Sequence, residues 1–273
     1  MKEKDGKMER KNDILLGPIE RPVLEWFAKH MPKWVNSDML TILGILGSTL
    51  TLVSGIMVGR TGGALHNPWI FSLCLGFVIN WFGDSLDGSL ARYRHLERPN
   101  FGYFIDHSVD GYTAICMFLG FGFAGISRVD VAAFGAIGYL LMMITVYLKT
   151  HVTGVFEMTT IKIGPTELRL LAIIFGMVHY FVQPASVALP LVESQSLGTV
   201  LVGAIAALLF IYYIAETIHM GTVLAIEDGK RLERRLAKEA KQAEKAEKKL
   251  EKELKNPSKS KHENMIGSTS RVN

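Results

Sequence analysis

Cysteine is nearly absent from this 273-residue chain. The two thiols, Cys74 and Cys116, both fall inside apolar stretches, where a cysteine behaves as a small hydrophobe, so a disulfide framework is excluded. The first 38 residues are charged and polar and lack the basic stretch plus short apolar run of a secretory leader. No cleavable signal is therefore expected, and the first apolar run is expected to anchor itself. No repeat of about 20 to 50 residues is evident, which sets aside solenoids and propellers. The charged C-terminal region has no full apolar seam. Leu232, Leu236, Ala243, Leu250 and Leu254 make too thin a stripe for a coiled coil.

What the chain has is apolar residues, 49% of the total, bunched in runs rather than spread at helical or strand spacing. Six runs approach the length of about 20 residues that a helix needs to cross a bilayer. They are 39–58, 69–82 with an extension through the polar stretch that follows, 102–126, 129–148, 168–187 and 198–224. The expected fold is all-α, a polytopic integral membrane protein of six transmembrane helices. Basic residues orient it. Eight precede the first span, Arg92, Arg94 and Arg98 join the second and third, Lys149, Lys162 and Arg169 surround the link between the fourth and fifth, and fourteen follow the sixth. The alternate loops hold only Arg60 and Arg128. Both termini are expected in the cytoplasm, in a bacterial inner membrane before the endoplasmic reticulum.

Three regions are expected. Residues 1–38 form a cytoplasmic N-terminus whose segment "IERPVLEWFAKHMPKWV" mixes Trp, Phe and Val with Glu and Lys, as suits a juxtamembrane helix lying in the headgroup layer. Residues 39–224 form the six-helix domain. Residues 225–273 form a charged cytoplasmic helix, in which Lys, Arg and Glu three or four apart support a solvated helix that touches anionic lipid, followed by a disordered tail from Asn256. A nucleic-acid role is not expected. Glycines in the spans, among them Gly44, Gly47 and Gly120, are read as packing positions.

Against this apolar background stands "WFGDSLDGSLARYRHLERPNFGYFIDHSVD", residues 81–110. An ionised carboxylate in hydrocarbon is expensive, yet four aspartates lie here. Asp84 and Asp87 are three apart and Asp106 and Asp110 four apart, so each pair shares a helix face, and a hairpin with a short basic loop can point all four into one space at the cytoplasmic edge. Four acids that close cannot all stay ionised unless cations share the space. Oxygen-only ligands select hard ions, so Mg²⁺ or Mn²⁺ is the expected occupant, with Ca²⁺ a further choice. Arg92 beside bound cations makes sense when a ligand brings anions, and phosphate matches a guanidinium best. Gly88 and Ala91 leave room for that ligand to approach the backbone. Metals, phosphate and a membrane together suggest phosphoryl transfer next to lipid.

These residues resemble the signature of the CDP-alcohol phosphatidyltransferase family, D-x-x-D-G-x-x-A-R, a gap, then G-x-x-x-D-x-x-x-D, met here by Asp84, Asp87, Gly88, Ala91, Arg92, Gly102, Asp106 and Asp110. The resemblance implies transfer of a substituted phosphate from a CDP-linked donor to an alcohol or lipid acceptor with release of CMP, in phospholipid synthesis. It implies two divalent ions on Asp84, Asp87, Asp106 and Asp110, with Asp110 as ligand or base. Gly88, Ala91, Arg92 and Gly102 would cradle the cytidine diphosphate, and Asn36 and Thr41 would close over it. Homodimers occur in the family. Two departures bear on the loop: nine residues separate Arg92 from Gly102 where eight are commoner, and Pro99 stands where many members have Ser or Thr.

"DHSVD" is also similar to the D-H-G-x-D form of choline and ethanolamine phosphotransferases, in which that histidine and a glutamate about sixty residues on attend the acceptor hydroxyl. Glu167 is sixty residues after His107, and a His held by a Glu is a sound general base. The expectation leans to a CDP-aminoalcohol donor with diacylglycerol as acceptor. The alternative is a CDP-diacylglycerol-dependent phosphatidyltransferase acting on a glycerol phosphate, inositol or serine type acceptor. A cation transporter is the rival from another class. It predicts acids spread through membrane depth, whereas these crowd one edge beside Arg92.

Overall fold

The computed structural model of the protein describes residues 15–154, 164–182, 186–189 and 192–255. The polar leader, Lys162 and the tail from Asn256 lie outside the described residues. Helices dominate. In chain order they are α1 (Gly17–His30), α2 (Ser37–Arg60), α3 (Trp69–Tyr93), α4 (Pro99–Phe123), α5 (Val129–Thr153), α6 (Pro165–Phe181) and α7 (Leu197–Lys255), with strands β1 (Ser186–Leu189) and β2 (Val192–Ser196) between the last two.

Local chemistry sets the boundaries. Asn36 starts α2, its Oδ1 accepting from Met39 N at 2.9 Å, a side-chain cap for an otherwise orphaned amide. Pro99 and Pro165 open α4 and α6 where the missing N–H costs nothing. Gly154 ends α5 at φ 73°, a left-handed conformation that glycine adopts without strain.

Four helices, α2, α3, α5 and α7, are long and apolar enough to cross a membrane. Two of the six expected spans, α4 and α6, fall outside this set. α4 carries Asp106 and Asp110 in its first half, which dilutes its apolar run. α6 ends at Phe181 after 17 residues, fewer than the ~20 a crossing needs. The expected fifth span does not continue to Val187. Instead β1 pairs antiparallel with β2, Val187 opposite Gln195, a small sheet that the all-α expectation lacked. The sixth run and the charged helix, read as two elements, lie in one helix, α7, since no proline interrupts residues 197–255.

The chain divides into two compact units, Met1–Glu216 and Thr217–Asn273. In the first, α3 is the central helix. It buries Ile70, Leu73 and Phe77 in one cluster with Val58, Phe121 and Ile126, and Leu86 and Leu90 in another with Leu24, Ala28, Val35 and Leu40. α2 lies on α3 with backbone almost touching backbone. A Cβ at Gly47 would sit 2.5 Å from Asn80 N, and one at Gly76 would sit 2.3 Å from Thr51 Oγ1, so only glycine lets the two helices approach this closely. Lys149 Nζ pairs with Glu216 Oε1 at 2.7 Å, fixing α5. Ile42, Leu46, Val53, Phe71, Leu75, Ile137 and Ile144 point outward, an apolar girdle suited to hydrocarbon.

α1 packs on α3, burying Leu24 and Ala28 and setting Phe27 edge-on to Phe82 with ring centroids 5.2 Å apart. Its other face exposes Ile19, Val23 and Trp26, and Trp34 follows at 72% exposed, as an interfacial helix requires. The described part of the second unit, residues 217–255, is helix carrying exposed ion pairs one turn apart, such as Arg235 with Glu239 at 2.8 Å and Lys248 with Glu244.

Candidate active site

α3 and α4 carry the acids, Asp84 and Asp87 one turn apart on the first and Asp106 and Asp110 one turn apart on the second. The four carboxylates feel each other's charge: Asp84, Asp87 and Asp110 act on Asp106, and Asp84 and Asp110 act on Asp87. The short 94–98 link that joins the helices is pinned by two arginines. Arg94 donates to Pro32 O at 2.9 Å, to Met31 O at 3.2 Å and to Val35 O, and Arg98 pairs with Asp38 while lying over the Phe101 ring. These contacts hold the start of α2 against the α3–α4 turn.

Each carboxylate is held in its own way. Asp84 Oδ2 accepts from Arg169 Nη2 of α6 at 2.7 Å. Asp87 Oδ2 accepts from Thr41 Oγ1 of α2 at 2.6 Å, and its Oδ1 takes the Gly88 amide. Ser37 Oγ donates to the Asp87 carbonyl at 2.9 Å. Asp106 and Asp110 flank the buried His107, whose Nδ1 lies 3.5 Å from Asp106 Oδ2 and 3.7 Å from Asp110 Oδ2. The His107 ring stacks on Tyr147, with centroids 4.8 Å apart, and meets Tyr103 edge-on at 4.2 Å.

One turn below Asp84, the fully buried Asn80 donates to Ser48 Oγ at 2.9 Å and to Gly44 O at 3.1 Å, and Ser48 meets Thr113 at 2.9 Å. These hydrogen bonds tie α2, α3 and α4 together beneath the acids.

Part of this donor set could hold a metal ion. One ligand atom each from Asp106, His107 and Asp110 lies within 4.8 Å of the others, and the remaining groups offer carboxylate oxygen, which hard divalent ions prefer. Arg92 reaches over Gly88, where an added Cβ would come within 3.2 Å of its Nη1, and it also donates to Ser89 Oγ at 3.1 Å. Ala91 is half-buried on the same stretch. Gly102 is exposed with open space where a side chain would be.

Not every expected residue comes to the acids. Asn36 is exposed and committed to capping α2. Glu167 directs Oε1 to Leu16 N at 2.7 Å and Oε2 to Gly164 N at 2.9 Å, so it closes the first turn of α6 and does not hydrogen-bond His107. The resemblance to choline and ethanolamine phosphotransferases, together with the sixty-residue separation, had suggested that pair. Thr41 does reach the acids, as a partner of Asp87.

Residues the sequence did not single out also matter. Glu20 of α1 accepts from Trp81 Nε1 and from Thr166 Oγ1, both at 2.8 Å, tying α1 to α3 and α6 beside the acids. No spacing rule would have found it. Arg169 gave a signal as a cation inside "ELRLLAIIFG", and it pairs with Asp84.

Comparison with known proteins agrees with this geometry. Residues 34–226 match the family model described as CDP-alcohol phosphatidyltransferase, a span that contains all four aspartates. Among curated proteins, the chain is similar to Cholinephosphotransferase 1 of Gallus gallus, 27% identical over 171 residues, 59% of this chain and 50% of that protein. It is 26% identical to Cholinephosphotransferase 1 of Bos taurus over 61% of this chain and 41% of the relative, and 24% identical to that of Homo sapiens over the same shares. The chain spans about half the length or less of these relatives.

Proposed function

Because the chain belongs to the CDP-alcohol phosphatidyltransferase family, we propose that it transfers a substituted phosphate from a CDP-linked donor to an alcohol acceptor and releases CMP, as a step of phospholipid synthesis. The observation that supports this reading is the set of ligand atoms on Asp106, His107 and Asp110 within 4.8 Å of one another, with Asp84 and Asp87 one turn apart on α3 and Arg92 reaching over Gly88. That combination suits a pyrophosphate and its counter-cations, and serves no purpose in a plain membrane anchor.

Two Mg²⁺ or Mn²⁺ ions held by the four aspartates would supply charge neutralisation to the pyrophosphate and the departing CMP. The protein's own residues do the rest. Thr41 and the Gly88 amide fix the Asp87 carboxylate, so the ligand is oriented before the ion arrives. Arg92 faces the donor phosphates across Gly88, and the open side of Gly102 leaves space for the nucleotide. The acceptor's proton goes to α4: to Asp110, or to His107 with Asp110 behind it. Glu167 supports this only indirectly, through α1 and α6.

The proposed layout is six membrane-embedded helices, α2 to α7. Both termini and the acid cluster face the cytoplasm. For the substrates, a CDP-aminoalcohol donor with diacylglycerol as acceptor is favoured by the name shared by the relatives and by His107 after Asp106. Incubation with CDP-choline or CDP-ethanolamine plus diacylglycerol and Mg²⁺ should release CMP. Release only with CDP-diacylglycerol and a soluble alcohol would reassign the lipid to the donor side.

A further inference from the structure

Arg169 is 6% exposed on α6, and the mechanism above gives it no task. Its guanidinium cannot be neutralised by losing a proton, so it places a permanent positive charge 2.7 Å from Asp84 Oδ2, and that charge also reaches Asp110. The contrast with Asp87 is informative. Asp87 is held by a neutral hydroxyl and a neutral amide, which orient a carboxylate without competing for its charge. Asp84 is bound by a cation, which competes with any other cation for the same oxygens and repels a dication through a weakly screening interior.

We infer that Arg169 is the built-in counter-charge of the acid cluster. It stabilises the fold when no divalent ion is bound and lowers the cluster's affinity for divalent ions, setting how much free cation the site requires. This rests on the reading of the aspartates as divalent-cation ligands. Arg169 is thus a positioning and affinity-setting residue rather than a donor-binding one.

The test is Mn²⁺ binding to the full-length protein in lipid nanodiscs, measured as depletion of free Mn²⁺, with no nucleotide present. Arg169→Gln should bind Mn²⁺ about tenfold tighter than the parent. Its melting temperature should fall more in chelator than in saturating Mn²⁺. Arg169→Lys, which keeps the charge, should stay within about threefold of the parent. If Arg169→Gln fails to fold, Asp84→Asn and Asp84→Asn with Arg169→Gln give a second comparison, since the double change removes a buried pair together. The double variant should then bind Mn²⁺ about tenfold tighter than Asp84→Asn alone. Equal or weaker binding without the arginine overturns the inference while leaving the metal site standing. A parent protein that binds no Mn²⁺ overturns the metal reading, and the inference with it.

Discussion

Thr41 on α2 donates its hydroxyl to Asp87 on α3 across 2.6 Å, so the helix preceding the acid hairpin controls the orientation of one of its four carboxylates. Thr41→Val keeps the shape and removes the donor. It should weaken divalent-cation affinity about tenfold, the usual effect of losing an outer partner of a metal ligand, while Thr41→Ser restores it. Titration of Mn²⁺ into the two variants checks this, and equal affinities would remove Thr41 from the site.

Glu167 and His107 should act independently. Because Glu167 binds Leu16 N and Gly164 N, Glu167→Gln should cost about 1–3 kcal/mol of stability, seen as a lower melting temperature and faster proteolysis near α1. His107→Ala should lower turnover about a hundredfold or more. In the double variant the free-energy losses in turnover should add to within about 0.5 kcal/mol. Strong non-additivity would restore the paired base that the sequence suggested.

The α2–α3 contact should be intolerant of a single methyl group. At Gly47 an added Cβ meets the Asn80 amide at 2.5 Å and Gly76 O at 2.8 Å, and both are backbone atoms that cannot swing aside. Gly47→Ala should therefore destabilise the protein by about 1–3 kcal/mol, read as a drop in melting temperature in detergent. Gly221→Ala, with open space around it, is the control and should leave melting unchanged.

Chelation should have a sign that charge alone dictates. Four carboxylates in mutual range, offset by one buried arginine, repel when no dication is present. Millimolar Mg²⁺ should raise the melting temperature by several degrees and chelator should reverse it, by the linkage of binding to folding. Asp84→Asn and Asp106→Asn should each blunt the difference between the two conditions.

Much of this site was legible because its information is local. Asp84 with Asp87, and Asp106 with Asp110, need only helical spacing to share a face, and the basic loop between the helices is short enough to bring the pairs together. Residues whose roles depend on tertiary neighbours were not legible. Arg169 meets Asp84 across 85 positions, and Leu16 meets Glu167 across 151, separations that no periodicity encodes. The sixty-residue interval that suggested a His107–Glu167 base carried no direction, and α6 turned its glutamate to its own first turn. Hydropathy likewise overran the end of α6, because the run to Val187 is apolar in composition while the helix ends at Phe181 and Val187 pairs in β1.

The most direct test is CMP release by the purified protein in lipid, with Mg²⁺ and a panel of CDP-alcohol donors and hydroxyl acceptors, beside Asp87→Asn. The account predicts CMP with at least one donor–acceptor pair, complete dependence on the divalent ion, and loss of more than about a hundredfold in an Asp87→Asn protein that stays folded. Absence of CMP from every pair in a folded, Mg²⁺-loaded protein, or full activity in Asp87→Asn, would contradict it.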